Sequence, residues 1–209
     1  MKAHTRETQA TMTPQKSLQY LKEGNQRFKN NLKANRNLLE QVNDTSDGQF
    51  PFATILSCID SRVSAELVFD QGLGDIFSVR IAGNFVNEDI LGSMEFACKL
   101  AGTKLIVVLG HTSCGAVKGA CDNAKMGNLT KLIEKITPAV NSVSEPKDKS
   151  LRNSKNLEFV DNVAKKNVQL TIDRIHSESP ILSEMEENGE ILIIGAMYDV
   201  NNGDVIFFE

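Results

Sequence analysis

Leu105-Ile106-Val107-Val108-Leu109-Gly110-His111-Thr112-Ser113-Cys114 is the stretch on which the fold turns. Its five apolar residues in succession, short and without polar alternation, predict a strand buried on both faces, as in a parallel sheet covered by helices. The run then breaks into His111, Thr112, Ser113 and Cys114 at the point where such a strand leaves its sheet. The same texture occurs at Ala53-Thr54-Ile55-Leu56-Ser57, followed at once by Cys58-Ile59-Asp60-Ser61-Arg62. Ile76-Phe77-Ser78-Val79-Arg80 and Ile191-Leu192-Ile193-Ile194-Gly195 are two further buried-strand candidates. Helical patterns lie between them at 64–69, 89–100, 115–125, 129–137 and 157–177, the last with Phe159, Val163, Val168, Ile172 and Ile175 on one stripe. Strands alternating with helices predict an α/β fold with a mostly parallel central sheet of four strands flanked by helices. Asn201-Asn202-Gly203-Asp204 is a hairpin signal before Val205-Ile206-Phe207-Phe208, which adds an antiparallel edge strand.

Upstream, Thr13-Pro14 opens an amphipathic helix running to about Asn31, with Thr as N-cap, Pro at the first helical position, and Leu18, Leu21 and Phe28 near helical spacing. Residues 35–49 are rich in Asn, Asp, Gln and Ser and carry only Leu38, Leu39 and Val42 as apolar anchors, so they read as a linking segment draped over a surface. Residues 1–50 are therefore expected to form an extending helical arm that packs away from its own domain, on a partner subunit. Residues 51–209 are the expected α/β catalytic domain.

Composition narrows the function. A chain of 209 residues, 41% hydrophobic, suits one compact core. Its 23 Lys and Arg against 27 Asp and Glu give a net charge of −4 with no basic block, which argues against a nucleic-acid footprint. The absence of Trp and the presence of only 2 Tyr leave little material for base stacking. No run approaches the roughly 18 to 20 apolar residues that a membrane span needs. Met1-Lys2-Ala3-His4-Thr5-Arg6-Glu7-Thr8 carries charge with no apolar core after it, so no secretory signal is read and the expected compartment is the cytoplasm.

The chemistry concentrates in the two clusters that follow the first and third strands. Open α/β sheets place ligands at strand carboxyl ends, so the two clusters are expected to converge. Zn²⁺ accepts thiolate sulfur and imidazole nitrogen, and a catalytic site offers three protein ligands with a fourth position open. Cys58, His111 and Cys114 supply that set. Asp60 lies close enough to reach the fourth position, while Arg62 offers it a competing bidentate partner, so Asp60 reads as a gate. The blander reading of Asp60 and Arg62 is a salt bridge that holds a loop. A closed structural zinc site would need Cys98, Cys121, His4 or His176 as a fourth ligand, and none sits in a comparable loop. Cys98 and Cys121 fall inside helical patterns and read as small buried hydrophobes, and His4 and His176 read as surface residues. Gly72-Leu73-Gly74 precedes a strand and lacks the context of a dinucleotide fingerprint. No C-x-x-C pair supports a thiol redox role.

Cys58-x-Asp60-x-Arg62 followed by His111-x-x-Cys114 resembles the β-class carbonic anhydrases. The likeness runs from Gly24-Asn25-Gln26-Arg27-Phe28, through Val79-Arg80-Ile81-Ala82-Gly83-Asn84 and Gly110-His111-Thr112-Ser113-Cys114-Gly115, to the terminal strands. The resemblance implies one Zn²⁺ per chain on Cys58, His111 and Cys114, and reversible hydration of CO2 to bicarbonate and a proton. It implies that Asp60 and Arg62 form the catalytic dyad, with Asp60 a fourth ligand in a closed state. It assigns Gln49 a hydrogen bond to bicarbonate or CO2, makes Phe77, Ala82 and Gly115 walls of a small pocket, and makes Phe96 a wall from the neighbouring subunit. The retained Gln49 and the missing Trp are similar to the subgroup without bicarbonate regulation. A homodimer or homotetramer is the implied assembly. Hydrolysis of carbon disulfide or carbonyl sulfide on the same site, or a non-catalytic zinc-binding role on the same fold, are the alternatives.

Overall fold

The computed structural model describes residues 2–208. Met1, where the signal reading begins, and Glu209, where the expected catalytic domain ends, lie outside them. Five strands, β1 (Ala53–Ser57), β2 (Ile76–Arg80), β3 (Leu105–His111), β4 (Leu192–Tyr198) and β5 (Val205–Phe207), form one sheet in the order β2-β1-β3-β4-β5. The first four are parallel and β5 is antiparallel to β4, as the apolar runs and the hairpin signal predict. Every residue of β1 and β3 is buried, which is why their sequences do not alternate. β2 is an edge, and its half-exposed pattern follows from having one strand neighbour.

The helices are α1 (Arg6–Ala10), α2 (Pro14–Lys29), α3 (Leu38–Asp44), α4 (Ala65–Val68), α5 (Glu88–Glu95), α6 (Gly115–Cys121), α7 (Gly127–Glu134), α8 (Thr137–Ser142), α9 (Leu157–Glu178) and α10 (Pro180–Glu187). The helix expected at 89–100 changes to a π-helical turn at Phe96–Leu100. On one face of the sheet Leu21, Phe52, Ile55, Phe69, Val107 and Leu109 form a core. On the other, Leu56, Ile106, Val108, Val168, Ile175 and Leu182 form a second. A third cluster, including Val117, Ile133, Ile136, Phe159 and Val163, packs around Cys58 and Cys114. α9 comes close to the sheet because Gly110 and Gly195 carry no side chain. A Cβ at Gly110 would stand 2.6 Å from Val168 Cγ2, and one at Gly195 2.7 Å from Val168 Cγ1.

The N-terminal arm keeps one face on its own domain. α2 packs on its own domain: Leu21 is fully buried, and the Gly24 backbone lies so near the Phe69 carbonyl that a Cβ there would come within 1.8 Å of its oxygen. Asn25 fixes this placement, because its amide donates to Val68 O (3.1 Å) and Gly203 O (2.9 Å) and accepts from Val205 N (3.0 Å). The linking segment contains α3, capped by Asn37 on Glu40 N. Its apolar residues are no anchors: Leu38, Leu39 and Val42 are exposed, and Gln41 is the buried member, accepting from Leu73 N at 3.2 Å. His4 is half-buried, its ring 5.3 Å from Phe52 and 6.1 Å from Tyr20. α10, absent from the sequence reading, starts at a Ser179 cap and Pro180. Among the described residues no helix is long and apolar enough to cross a membrane.

Candidate metal centre

Parallel neighbours β1 and β3 end side by side, with Ser57 in register with Leu109, so the chain after each strand emerges over the same edge of the sheet. That topology gathers Cys58 with His111 and Cys114, whose donor atoms all lie within 4.8 Å of one another. All three are buried, and among the described residues they form the one such donor cluster. Cys98, Cys121, His4 and His176 lie outside it. The four cysteines are free, Cys98 being buried in the π-helical turn and Cys121 half-buried at the end of α6.

His111 is set up as a ligand. Its Nδ1 donates to Thr112 O at 3.0 Å, which assigns the ring proton to that nitrogen and leaves Nε2 as the acceptor. Nε2 is buried and has no hydrogen-bond partner. A buried acceptor left in that state costs about 1–3 kcal/mol, which a coordinated cation would offset. Cys58 Sγ lies 3.9 Å from Cys114 Sγ and accepts from Gly83 N at 3.4 Å. The contact with Cys114 is the main cause that draws the Cys58 thiol down to about 4, against the effect of burial and with help from His111 and the Gly83 N–H. Cys114 is pushed up, first by Cys58 and then by burial. One anionic sulfur, one sulfur that releases its proton to a metal and one free imidazole nitrogen make a soft donor set that fits Zn²⁺.

Asp60 and Arg62 stand at the mouth of this cluster. Arg62 donates through Nε to Oδ1 (2.9 Å) and through Nη2 to Oδ2 (2.8 Å), and its backbone N–H adds a third bond to Oδ1 (3.0 Å). The Arg62 side chain is the main cause that holds Asp60 well below the ordinary carboxylate range. Asp60 Oδ2 nevertheless lies only 4.0 Å from His111 Nε2.

Several supporting residues escaped the sequence reading. Arg80, at the end of β2, donates to Cys58 O (3.0 Å) and Asp60 O (2.8 Å), bracing the Cys58–Asp60 backbone. Its one sequence signal is a cation closing a largely apolar strand. Asp161 accepts from Ser113 N at 2.8 Å, Asn167 donates to Gly83 O at 2.8 Å, and Thr112 Oγ1 donates to Asp199 at 3.3 Å. In the sequence these are polar residues on helices and loops, with nothing to separate them from solvated ones.

The remaining expected residues divide into two groups. Ala82 precedes Gly83 and Gly115 opens α6 directly after Cys114, so both border the donors. The Phe77 and Phe96 rings pack edge to face, 6.3 Å between centroids, in a hollow of about 760 Å³ between β2 and α5. Phe96, expected as a wall from a neighbouring subunit, thus also meets Phe77 of its own chain, and Cys58, His111 and Cys114 are not among the residues lining that hollow. Gln49 is exposed ahead of the amino end of β1, whereas Cys58 follows its carboxyl end. Five strand residues span roughly 16 Å, so Gln49 is not brought to the donors of its own chain.

Residues 53–205 match the protein-family model described as carbonic anhydrase. The chain is 35% identical over 192 residues to carbonic anhydrase 2 of Mycobacterium tuberculosis, covering 89% of this chain and 88% of the relative. It is 35% identical over 191 residues to a carbonic anhydrase of Mycolicibacterium smegmatis, covering 88% of each. Among solved structures it is similar to the β-carbonic anhydrase CafA of Aspergillus fumigatus, 26% identical, with a TM-score of 0.71 over 82% of this chain and 81% of that one. A tetrameric β-carbonic anhydrase of Sordaria macrospora, 21% identical, shares the fold with a TM-score of 0.67 over 78% of this chain and 83% of that one.

Proposed function

The chain belongs to the carbonic anhydrases of the β class, whose reaction is the reversible hydration of CO2 to bicarbonate and a proton, and from that premise we propose that Cys58, His111 and Cys114 hold one zinc ion per chain in its active site. The observation that carries this reading is the buried, unpartnered Nε2 of His111 among sulfur donors within 4.8 Å. When bound, zinc supplies the Lewis acidity that lowers the pKa of a water to about 7.

The protein's own groups do the rest. Arg62 engages both oxygens of Asp60 and so keeps the carboxylate turned from the donors. Asp60, ionised throughout the neutral range, accepts a hydrogen bond from the attacking water and aims its lone pair at the carbon of CO2. If Arg62 lets go, Asp60 is near enough to close the site. CO2 is linear and uncharged, so Ala82 and Gly115 serve it by leaving apolar room beside Cys58 and Cys114.

Gln49 and Phe96 enter this reading through a second copy of the chain. Each lies away from the donors of its own chain, and each is exposed. The exposed Leu38, Leu39 and Val42 of α3 lie in the same arm as Gln49 and give it an apolar face for that copy. The arm 1–50 then has two surfaces, one on its own domain and one on the partner of a homodimer or tetramer, with 51–209 as the catalytic unit. Four free thiols suit a reducing compartment, which favours the cytoplasm.

Stopped-flow CO2 hydration, run before metal removal, after it and after zinc is restored, tests the reading when zinc is assayed alongside. Activity should vanish and return with about one zinc per chain, as an open three-ligand site requires. Bound zinc without hydration at neutral and alkaline pH would overturn it.

A further inference from the structure

α9 reaches both halves of the donor set without supplying a donor. At residue 161 its Asp carboxylate accepts from Ser113 N (2.8 Å), in the loop between His111 and Cys114. Six residues further on, its Asn167 amide donates to Gly83 O (2.8 Å), and the same Gly83 donates its N–H to Cys58 Sγ (3.4 Å). At about 100° and 1.5 Å per residue, positions 161 and 167 lie roughly 120° apart around the helix and about 9 Å apart along it. They bracket the stripe formed by Ala164 and Val168, both buried against the protein interior.

Both contacts hold backbone in the left-handed region. Ser113 has φ +56° although it is not glycine, and its N–H reaches Asp161 in that conformation. Gly83 has φ +81°, and a Cβ there would meet Ile136 Cδ1 at 2.4 Å. The helix itself has little freedom to shift, since Val160, Val163, Ala164, Val168 and Ile175 are buried and Val168 fills the space above Gly110 and Gly195.

We propose that Asp161 and Asn167 are positioning residues of the metal centre, making α9 the gauge that sets the separation between the Cys58 loop and the His111–Cys114 loop. Neither touches metal or substrate. Their effect is to place the donors before the ion arrives, so that its binding does not have to order two loops. This inference rests on the zinc-site reading given above.

The test is the rate at which zinc passes from the purified holoenzyme to an excess of chelator, together with the absorption spectrum of the cobalt-substituted protein, which reports the coordination geometry. Asp161→Ala and Asn167→Leu should each release zinc about 10-fold faster or more and alter the cobalt bands, with far-UV circular dichroism unchanged. Asp161→Asn keeps an acceptor oxygen and should behave like the wild type. Glycine adopts positive φ without help, so Asp161→Ala combined with Ser113→Gly should regain most of the lost retention. That rescue also separates local placement from general loss of stability, and remains decisive if the single variant folds poorly. Wild-type retention and spectra in both Asp161→Ala and Asn167→Leu, or a double variant no better than Asp161→Ala, would overturn the gauge while leaving the zinc site standing. A wild-type protein that holds no zinc would overturn the site reading and the gauge with it.

Discussion

Arg62 occupies both carboxylate oxygens of Asp60, with Nε on Oδ1 at 2.9 Å and Nη2 on Oδ2 at 2.8 Å. The fork fixes the carboxylate in place while Oδ2, which accepts only the Nη2 bond, keeps a free lone pair 4.0 Å from His111 Nε2. Arg62→Ala frees the carboxylate to turn toward the donors. We expect zinc content to be kept and kcat/KM for CO2 hydration to fall about 10-fold or more, as for other groups that orient a metal site. Arg62→Lys, which offers a point charge instead of a fork, should fall between the two. Stopped-flow rates with parallel metal assays check both, and a fully active Arg62→Ala would remove the dyad from the mechanism.

Two of the three buried cysteines, Cys114 and Cys98, should respond in opposite ways. Cys114→Ala removes a donor and should lose zinc and activity together. Cys98 is equally buried but is not one of the cluster donors; it packs in the apolar core with Leu56 and Ile106, and its Sγ lies 3.3 Å from the Thr103 hydroxyl. Cys98→Ala should keep zinc and turnover at a stability cost of about 1 kcal/mol, read by metal analysis and thermal unfolding.

Acid stability should depend on Asp70, which is buried beneath α2 and paired with Arg27 and Arg36. Burial pushes this carboxyl up, but Arg27, the Ala34 N–H and Arg36 outweigh it and leave it below the ordinary 3.8. A folded-state value below the unfolded one contributes stability that is full above pH 3.8 and fades as pH falls through the lower, folded value. Asp70→Asn should therefore cost on the order of 2 kcal/mol at pH 7, and the gap from wild type should close progressively below pH 4. Thermal midpoints across that range check the sign, and a gap that widens toward acid would contradict it.

Placement of α2 on its own domain has a direct test in Gly24→Ala, whose added Cβ would lie 1.8 Å from Phe69 O. Either the helix lifts or the backbone after α4 moves. A cost of about 3 kcal/mol lowers the thermal midpoint by roughly 6–12 °C in a chain of this size. A midpoint within a degree of the wild type would mean that α2 does not seat there in solution.

Much of the fold was legible because burial on both faces writes itself into sequence as an unbroken apolar run. β1 and β2 begin and end at the expected residues, and β3 runs only two residues further, to His111. β4 continues to Tyr198 because it pairs with the extended end of β3, which its own residues do not announce. The donors were legible by position, since Cys58 and His111 each interrupt or close such a run at a sheet's carboxyl end. What stayed hidden is tertiary. Leu38, Leu39 and Val42 look like anchors yet are exposed, while the neighbouring Gln41 is buried, because the partner of that amide, Leu73 N, lies far along the chain. Arg80, Asp161 and Asn167 act through backbone groups remote in sequence, and nothing in their local composition marks them.

Val168 projects into the space left by two glycines on adjacent strands, and this gives three distant positions a common volume to divide. A Cβ at 110 would also press on Met197 Sδ at 2.7 Å and one at 195 on Phe208 Cδ2 at 2.5 Å, so enlarging either glycine demands both a smaller residue at 168 and a shift of that second neighbour. Tolerance to substitution at these sites therefore belongs to the group that includes Met197 and Phe208, so that a change forbidden singly needs matched changes around it.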